Sequence, residues 1–468
     1  MGATFSNYVL LGLRLLSTVV LTRALFTTFA SEDYGFWALL WSVFAYALLL
    51  DFGLGTALQK YTSQWRAGHE RNYGALLSTA LTLYTGMGLL MALGTWGLSS
   101  QLQWLLPELS PEAFGRYQQA FLGFGLGTAL LFPTGCFAEG LRGLEAITVR
   151  NGIQAVGVVL QLVLSLWVLG SSQDPLMAMV WVSLGTTAGV NGLLAGAFFK
   201  RILRAPQPFF WAWPQRAMVQ ELFQFSLFAW IITLTNLVIF RTDQLVISGS
   251  IGLAALAGYQ IVQRVSEMYR QYTTQLHDVL GPRIARLYQQ GDQQGLMAAY
   301  IDSNRWVFTL VLFSFVPLYW GLPFLLELWL GLTDETVLLS GRILLFSMAF
   351  QVVLRSTATQ VMLMCQRERA LMGLALLEAL GNLVLSLVLV KSLGLVGVAL
   401  GTLIPNLLVT LGGYLPLSCR FMKLSLSEYV RVAFRPVSLG KIVAGFKIPG
   451  MGLLSAWRQR RWEASPQE

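Results

Sequence analysis

The sequence is poor in charged residues. Only 12% of its 468 residues are Asp, Glu, Lys or Arg, whereas soluble domains contain about 25%. Hydrophobic residues make up 55% of the chain, and apolar runs long enough to cross a bilayer recur along its whole length. This composition excludes a soluble protein. Because the runs are long and continuous, it favours membrane-spanning helices over the alternating strands of a membrane barrel.

Motifs for nucleotide and metal chemistry are absent as well. The chain has no GxxxxGK[ST] sequence to hold ATP phosphates, and its two histidines, His69 and His277, form no HExxH motif. The cysteines Cys136, Cys365 and Cys419 have no paired spacing, so we expect buried thiols and no disulfide or zinc site. We predict no catalytic residue, no metal and no cofactor. The functions that remain possible are secondary transport and an intramembrane transferase activity.

Twelve membrane spans are predicted. Their bounds are 5–29, 34–55, 73–99, 113–139, 149–170, 174–199, 219–248, 253–280, 304–328, 337–364, 370–391 and 395–419. Connections after even-numbered spans are rich in Lys and Arg, and connections after odd-numbered spans carry mainly Asp and Glu. Because positive residues favour the cytoplasmic side, we predict a multi-pass membrane protein with both termini in the cytoplasm.

Short sequence matches recur in the same order roughly 220 residues apart. They are Gly35 with Gly258, Gly68 with Gly291, and Leu162–Leu166 with Leu383–Leu387. They predict an N-terminal six-helix lobe (1–199), a basic cytoplasmic linker (200–218), a C-terminal six-helix lobe (219–420) and a basic cytoplasmic tail (421–468). Six helices return the chain to its starting side, so the lobes would be parallel repeats with substrate bound between them. The tail is either an interfacial or partner-docking segment or a plain cytoplasmic extension.

The eighth predicted span is too polar to face lipid. Within Gly258–Arg283, polar side chains fall on one face of a helix, which we call the polar stripe. It consists of Gln260, Gln263, Arg264, Glu267, Arg270, Gln271, Thr274, Gln275 and Asp278. Polar groups are costly in hydrocarbon, so the polar stripe must face a watery cavity or polar partners. We predict that this helix lines a transport pathway.

Ionisable groups inside spans are expensive and by default functional. Candidates for binding an anionic headgroup are Arg14, Arg23, Arg264, Arg270, Arg355, Gln260 and Gln271, and candidates for coupling to proton or sodium movement are Asp51, Asp243 and Glu267. Arginine binds phosphate oxygens bidentately and stays charged at low dielectric, which favours a phosphate-bearing substrate. The structural alternative is an ion pair of Arg14, Arg264 or Arg355 with Asp51, Glu267 or Glu378.

Five segments carry motifs in a fixed order. They are Thr22–Gln64, which includes Leu-Asp-Phe-Gly-Leu-Gly, followed by Thr242–Arg264, Val279–Asp292, Glu327–Gly331 and Gly381–Thr402. Together they resemble the oligosaccharide flippase (Wzx-type) branch of the multidrug/oligosaccharidyl-lipid/polysaccharide (MOP) exporter superfamily. The resemblance covers nearly all of residues 1–420 and leaves the tail uncovered.

The resemblance implies an all-helical fold of about twelve spans, in two six-helix lobes that form a V around a central cationic cavity. It implies alternating-access transfer of an undecaprenyl-pyrophosphate-linked glycan from the cytoplasmic to the periplasmic leaflet, for O-antigen, exopolysaccharide or capsule synthesis. It places Arg23 and Asp51 at signature positions and Asp243 at the acidic position of the seventh span. The implied partners are the lipid-linked glycan, the bilayer, and polymerase and glycosyltransferases of the same pathway, with no nucleic acid.

Two alternatives remain. A lipid II flippase or a cation-coupled drug exporter belongs to the same superfamily, but the former has two further helices and the latter should present carboxylates to its cavity. No apolar pair of segments follows residue 420. An intramembrane glycan polymerase or ligase needs a large external loop, and the longest outward connection here is about 100–112.

Overall fold

The described part of the chain is helical in the computed structural model. The described residues are 2–46, 51–52, 54–66, 68, 72–106, 111–205, 209–216, 218–220, 222, 234, 237, 241–365 and 368–437. No strand occurs among them. The predicted all-α fold class is therefore confirmed.

The helices follow one another with short connections. The first nine are α1 (Gly2–Thr28), α2 (Ser31–Ala45), α3 (Leu54–Arg66), α4 (Tyr73–Ser100), α5 (Leu102–Leu105), α6 (Pro111–Leu131), α7 (Cys136–Gly143), α8 (Ile147–Ser171) and α9 (Pro175–Ile202). After the helical residues 241–250 come α10 (Leu253–Gln289), α11 (Gln293–Leu330), α12 (Glu335–Gln351), α13 (Thr357–Met364), α14 (Glu368–Val409), α15 (Leu415–Met422) and α16 (Leu426–Ala433). π-helical turns at Val352–Ser356 and Thr410–Tyr414 join α12 to α13 and α14 to α15.

Eight helical segments of the described chain are long and apolar enough to cross a membrane. One of them, Arg369–Met422, contains both of the last two predicted spans. The backbone turns at Gly394, where φ is 58° and ψ is −133°. Beyond that turn, Gly401 packs against Ser386, so the chain returns alongside itself. The predicted turn between spans eleven and twelve is therefore confirmed.

Three predicted spans are not among these eight segments. Span two is only partly covered, because α2 ends at Ala45 and residues 47–50 and 53 lie outside the described part. Most of span seven, at 219–248, also lies outside the described part of the chain. The whole tail beyond residue 437 lies outside it as well. Span eight is helical as α10, but it carries too many polar side chains to count as an apolar segment. The side chains of the polar stripe from residue 274 onward lie outside the described residues.

The chain divides into two compact units. The first unit comprises Met1–Gln263, Leu325–Ser340 and Ala379–Gly401, and the second comprises Arg264–Phe324, Gly341–Glu378 and Thr402–Glu468. Helix α10 thus contributes its beginning to the first unit and the rest to the second. The predicted lobe boundary at 200–218 stays a prediction.

Each unit has its own apolar core. In the first unit, α3, α4, α7 and α9 bury a cluster that includes Leu58, Leu77 and Phe198. In the second unit, a separate cluster includes Tyr300, Val361 and Cys419. Other apolar side chains point outward, for example Leu89, Leu93 and Trp96 along one face of α4. Such apolar outer faces are what membrane-spanning helices require. Cys136, Cys365 and Cys419 are buried and are not joined in disulfides.

Two repeat-related glycines have the same local structure. Gly68 and Gly291 each lie two residues beyond the end of a helix, α3 and α10 respectively. Their φ angles are 81° and 70°. The Gly68 N–H donates to the carbonyl of Trp65 at 2.9 Å, and the Gly291 N–H donates to that of Tyr288 at 3.1 Å. Glycine is favoured here because other residues have a Cβ that makes this conformation strained.

Candidate functional site

The beginning of the polar stripe is engaged with a neighbouring helical segment. The Gln244 amide nitrogen donates to Gln260 Oε1 at 2.6 Å and to Gln263 Oε1 at 2.9 Å, and all three side chains are buried. This part of α10 therefore directs its polar face at residues 241–250. Gln260, which the sequence assigned to substrate binding, lies within this network.

Asp243 is a carboxylate almost completely removed from solvent. Only 1% of the residue is exposed. Its Oδ2 accepts a hydrogen bond from the Tyr259 hydroxyl at 3.0 Å, and its Oδ1 accepts one from Ser386 Oγ at 3.3 Å. The seventh-span position, α10 and α14 are thereby joined inside the first unit. Carboxylate and hydroxyl oxygens are also groups that exchange protons or contact hard cations.

The second unit brings three predicted residues into electrostatic contact. Arg270 interacts favourably with Glu267 and unfavourably with Arg355. Arg264 is half-buried, and within the described residues its buried Nε has no hydrogen-bond partner. Gln271 is exposed. Arg264, Glu267 and Arg270 thus follow one another along α10, and their roles in binding and coupling stay predictions.

Arg355 is held by its neighbours in the second unit. It lies in the π-helical turn Val352–Ser356, and its Nη1 is paired with Glu378. Its Nη2 donates to the Tyr414 hydroxyl at 3.1 Å, and the guanidinium lies 4.2 Å from the centre of the Tyr414 ring. The side chains of Arg355 and Glu378 are only 12% and 3% exposed. This is the ion pair that the structural alternative describes.

In the first unit, polar side chains connect α1 to α8. Arg14 is exposed, and its Nη2 donates to Gln154 Oε1 at 3.2 Å. Nearer the start of both helices, the buried Asn151 amide donates to Ser6 Oγ at 3.0 Å and to Asn7 Oδ1 at 2.5 Å. These bonds fix the position of Arg14 relative to α8.

Two further arginines lie near Arg14. Arg142 Nη1 is 3.0 Å from Glu139 Oε2, and Arg150 Nη2 is 3.8 Å from Glu139 Oε1. Arg150 also donates to Asn151 Oδ1 at 3.2 Å. Arg150 is close enough to Arg14 and Arg142 to be repelled by both, and Arg142 also repels Arg14. We call Arg14, Glu139, Arg142 and Arg150 the Glu139 cluster.

Asp51 lies beside the Glu139 cluster but is bound elsewhere. Its carboxylate accepts a hydrogen bond from the Tyr84 hydroxyl and another from the Gly55 N–H at 3.5 Å. It is also near enough to Glu139 for the two carboxylates to repel each other. Among the described residues, no ion pair joins Asp51 to Arg14 within 4.0 Å. Asp51 therefore does not neutralise Arg14 directly.

Arg23 stands apart from these groups. It is exposed on α1, and its backbone carbonyl accepts a hydrogen bond from Thr27 Oγ1 at 2.9 Å. Within the described part of the chain, no carboxylate forms an ion pair with its side chain. Its role as a headgroup ligand stays a prediction.

A third arginine environment lies on the side predicted to be periplasmic. Arg116 Nη1 is 2.7 Å from Asp33 Oδ1, and its Nη2 is 2.8 Å from Asp174 Oδ1. The Tyr117 hydroxyl also donates to Asp33 Oδ1, at 2.8 Å. Asp174 caps α9 by accepting from the Met177 N–H at 3.3 Å. The hydrogen bond from Arg116 holds the pKa of the Asp174 carboxyl below its usual value.

Sequence reasoning missed Arg116, Arg142 and Arg150. Arg142 was counted only as a basic residue of a cytoplasmic connection, and the other two were not considered. A signal was available, because Glu139 and Arg142 are spaced i, i+3 before a short connection, and Arg150 follows it. The sequence does not show that Arg14 lies next to this connection.

Solved structures of known proteins have the same fold. The inward-facing conformation of a multidrug resistance MATE family transporter of the MOP superfamily superimposes with a TM-score of 0.75 at 14% identity, covering 87% of this chain and 94% of that one. The lipid II flippase MurJ, in an inward closed conformation, gives 0.70 at 12% identity, covering 92% and 89%. A MOP superfamily transporter from Pyrococcus furiosus gives 0.62 at 13% identity, covering 91% and 96%.

The fold is that of the MOP superfamily, whose members above are transporters and a flippase. The chain belongs to the family described as "Polysaccharide biosynthesis protein", whose sequence profile matches residues 3–288. No curated protein matches the chain. The predicted fold is therefore confirmed, and the family match agrees with the predicted link to polysaccharide synthesis.

Proposed function

We propose that the chain moves an undecaprenyl-pyrophosphate-linked oligosaccharide from the cytoplasmic to the periplasmic leaflet by alternating access. The product would serve synthesis of a surface polysaccharide such as O-antigen, exopolysaccharide or capsule. The observation that carries this proposal is membership of the polysaccharide biosynthesis family together with a MOP fold. The chain would reside in the inner membrane with both termini in the cytoplasm, beside the polymerase and glycosyltransferases of its pathway.

The arginines of α10 give the proposal a chemical basis. Arg264 and Arg270 lie on α10, which is flanked in the sequence by apolar segments. Among the described residues, none forms a hydrogen bond with the Arg264 Nε. A guanidinium held at low dielectric attracts phosphate oxygens strongly and presents several N–H donors to them. The pyrophosphate would bind to these groups, while the polyprenyl chain stays in lipid along the apolar outer faces.

Among the three candidate coupling groups, the proposal assigns the role to Asp243. Its burial and its hydroxyl partners Tyr259 and Ser386 would let the carboxylate hold a proton or a sodium ion during one step of the cycle. Asp51 and Glu267 are the other candidates, and the membrane potential is the alternative driving force. Asp243→Asn should keep one hydroxyl-to-oxygen bond, reverse the other so that the amide NH2 donates to the hydroxyl oxygen, and remove any dependence of transport on the ion gradient.

Reconstitution tests the function directly. The full-length chain is placed in liposomes with a fluorescent undecaprenyl-pyrophosphate-linked oligosaccharide in both leaflets, and external dithionite then bleaches the accessible molecules. Bleaching should pass well beyond the outer-leaflet fraction only when the protein is present. Labelled lipid II and a cationic dye provide the comparison with the two alternative substrates. Bleaching that stops at the outer-leaflet fraction would show that the proposed function is wrong.

The same assay tests the arginines. Arg264→Ala and Arg23→Ala should each slow transfer by roughly tenfold or more, because a charge-assisted hydrogen bond to phosphate is lost. Arg66→Gln is the matched control, since Arg66 is paired with Glu145 at 2.7 Å and half-exposed. Normal transfer by both alanine variants, at equal protein level, would contradict the role of these two arginines and leave the flippase activity standing.

A further inference from the structure

In the first unit, one group of arginines is not balanced by carboxylates among the described residues. The Glu139 cluster contains three guanidinium groups but one carboxylate, and Glu139 lies 3.0 Å from Arg142 and 3.8 Å from Arg150. A further acid close to Glu139, Asp51, is hydrogen-bonded to Tyr84, and Glu145 is paired with Arg66. Even with Asp51 included, positive charges outnumber negative ones. An additional anion would relieve the repulsion among the arginines.

The Glu139 cluster also has hydrogen-bond donors that its neighbours do not use. Arg150 is only 11% exposed, and within the described residues its buried Nε has no hydrogen-bond partner. Arg142 remains 43% exposed and Arg14 is exposed, so a ligand can reach both guanidinium groups. A buried donor without a partner costs free energy, which a phosphate oxygen would recover.

The arginines are held in place before any ligand arrives. Arg14 is tied to Gln154, and Arg150 is tied to Asn151, whose amide is itself bonded to the first turns of α1. Glu139 holds Arg142 and Arg150 from α7. A site with donors already positioned loses less conformational entropy on binding than one that must assemble.

We propose that the Glu139 cluster is a binding site for the phosphate group of a membrane lipid, formed within the first unit by α1, α7 and α8. Arg142 lies in a connection that the charge pattern predicts to be cytoplasmic, which is the side where the proposed substrate begins. Resting on the proposed function, this site would capture the pyrophosphate of the substrate before its transfer. The headgroup of an anionic phospholipid has the same chemistry and is the other source of the ligand.

Binding of farnesyl pyrophosphate to the full-length chain in phosphatidylcholine nanodiscs tests the proposal. Arg142→Gln should weaken binding roughly tenfold, because one charge-assisted contact is lost from a half-exposed side chain. Glu139→Gln should strengthen it several-fold, because the competing carboxylate is gone. Arg66→Gln removes the same charge from a pair that is already balanced and should leave binding unchanged.

A second set of nanodiscs, with equal parts phosphatidylcholine and phosphatidylglycerol, separates the two lipid sources. If phosphatidylglycerol suppresses farnesyl pyrophosphate binding in the wild type and much less in Arg142→Gln, the cluster binds lipid phosphates generally. If it has no effect, the cluster selects the pyrophosphate. Either result supports the site.

Two outcomes count against the site, and they differ in what they say about the proposed function. If the wild type binds farnesyl pyrophosphate and both Arg142→Gln and Glu139→Gln bind it equally well, the site is wrong and the proposed function is untouched. If the wild type binds it in neither kind of nanodisc, the site is wrong and so is the proposed headgroup class.

Discussion

Arginines in the two units have opposite charge environments. In the second unit, Arg355 is matched by Glu378 and stacked on Tyr414, and both members of the ion pair are nearly inaccessible. In the first unit, the Glu139 cluster has three guanidinium groups around one carboxylate, and Arg142 is 43% exposed. In the second unit the carboxylate of Glu378 neutralises the arginine, whereas in the first unit positive charge remains available to bind a ligand.

The difference follows from solvation. A buried charge loses its hydration and must be compensated by a partner of opposite sign, so Arg355 and Glu378 occur one to one. In the Glu139 cluster, Arg142 is 43% exposed and Arg14 is exposed, so water screens these two charges and an excess of one sign is tolerated although Arg150 is only 11% exposed. The Arg116 network is a third case, where two carboxylates, Asp33 and Asp174, surround one arginine. Burial and charge ratio together indicate which arginines can bind an anion.

The largest effect is expected at Glu378. Glu378→Gln should lower the free energy of unfolding by about 3–5 kcal/mol, because it leaves the Arg355 charge buried without compensation. Thermal and denaturant unfolding of the detergent-purified chain measure the loss. Glu139→Gln, the same exchange at a carboxylate that is 23% exposed beside the 43% exposed Arg142, should cost only about 1 kcal/mol.

A double exchange sharpens this result. Arg355→Met combined with Glu378→Leu removes both charges and should recover most of the stability lost in Glu378→Gln, since well-packed apolar residues can replace a buried ion pair. Equal losses for Glu378→Gln and Glu139→Gln would show that burial does not separate the two environments.

A smaller effect is expected at Tyr414. Tyr414→Phe keeps the ring beneath Arg355 but removes the hydroxyl that accepts from Arg355 Nη2 at 3.1 Å. The loss should be about 1 kcal/mol in unfolding experiments. Tyr414→Leu also removes the cation–π contact and should cost more, by about 0.5–2 kcal/mol. If Phe and Leu are equally destabilising, the ring contributes nothing to holding the guanidinium.

The smallest effect is expected at Asp174, and it should depend on pH. Asp174→Asn should lower stability by about 0.5–1 kcal/mol at neutral pH, because the half-exposed pair with Arg116 is weakened. The pKa of Asp174 is lowered from 3.8 in the folded chain. The contribution of its charge is therefore fully present above that value and is lost as pH falls through the lowered pKa.

Unfolding of wild type and Asp174→Asn across a pH series measures this dependence. The stability difference should be constant near neutrality and should narrow in acid, where the wild-type carboxyl becomes protonated. Glu145→Gln provides a control in an exposed pair, 72% exposed at the carboxylate. A difference that stays the same down to the lowest pH would contradict a role for the Asp174 charge.

Much of the architecture was predictable, because hydrophobic periodicity and charge are local properties. The turn between the last two predicted spans falls at Gly394, and the repeat-related Gly68 and Gly291 end their helices in the same way. The polar stripe was recognised because polar residues at helical spacing are rare in a spanning segment. The unit boundary within α10, between Gln263 and Arg264, was not expected, since nothing in a continuous helix signals it.

The candidate site was predicted less completely. Sequence reasoning identified Arg14 and Arg355 as equivalent candidates, yet the structure gives Arg355 a buried carboxylate and Arg14 two like-charged neighbours. It also overlooked Arg150, which lies near the start of an apolar helix where a basic residue looks like an ordinary interfacial anchor. Partners far apart in sequence decide these differences.

The sequence by itself determined that this chain is a helical membrane protein with costly charges in its spans, because transfer free energies depend on residue type and helical spacing. It also carried the motif order of the flippase family. Only the tertiary structure decided which of those charges are neutralised by a partner of opposite sign. That outcome depends on distances between side chains from different helices, such as Glu139 of α7 beside Arg150 of α8, and on how much water each pair retains.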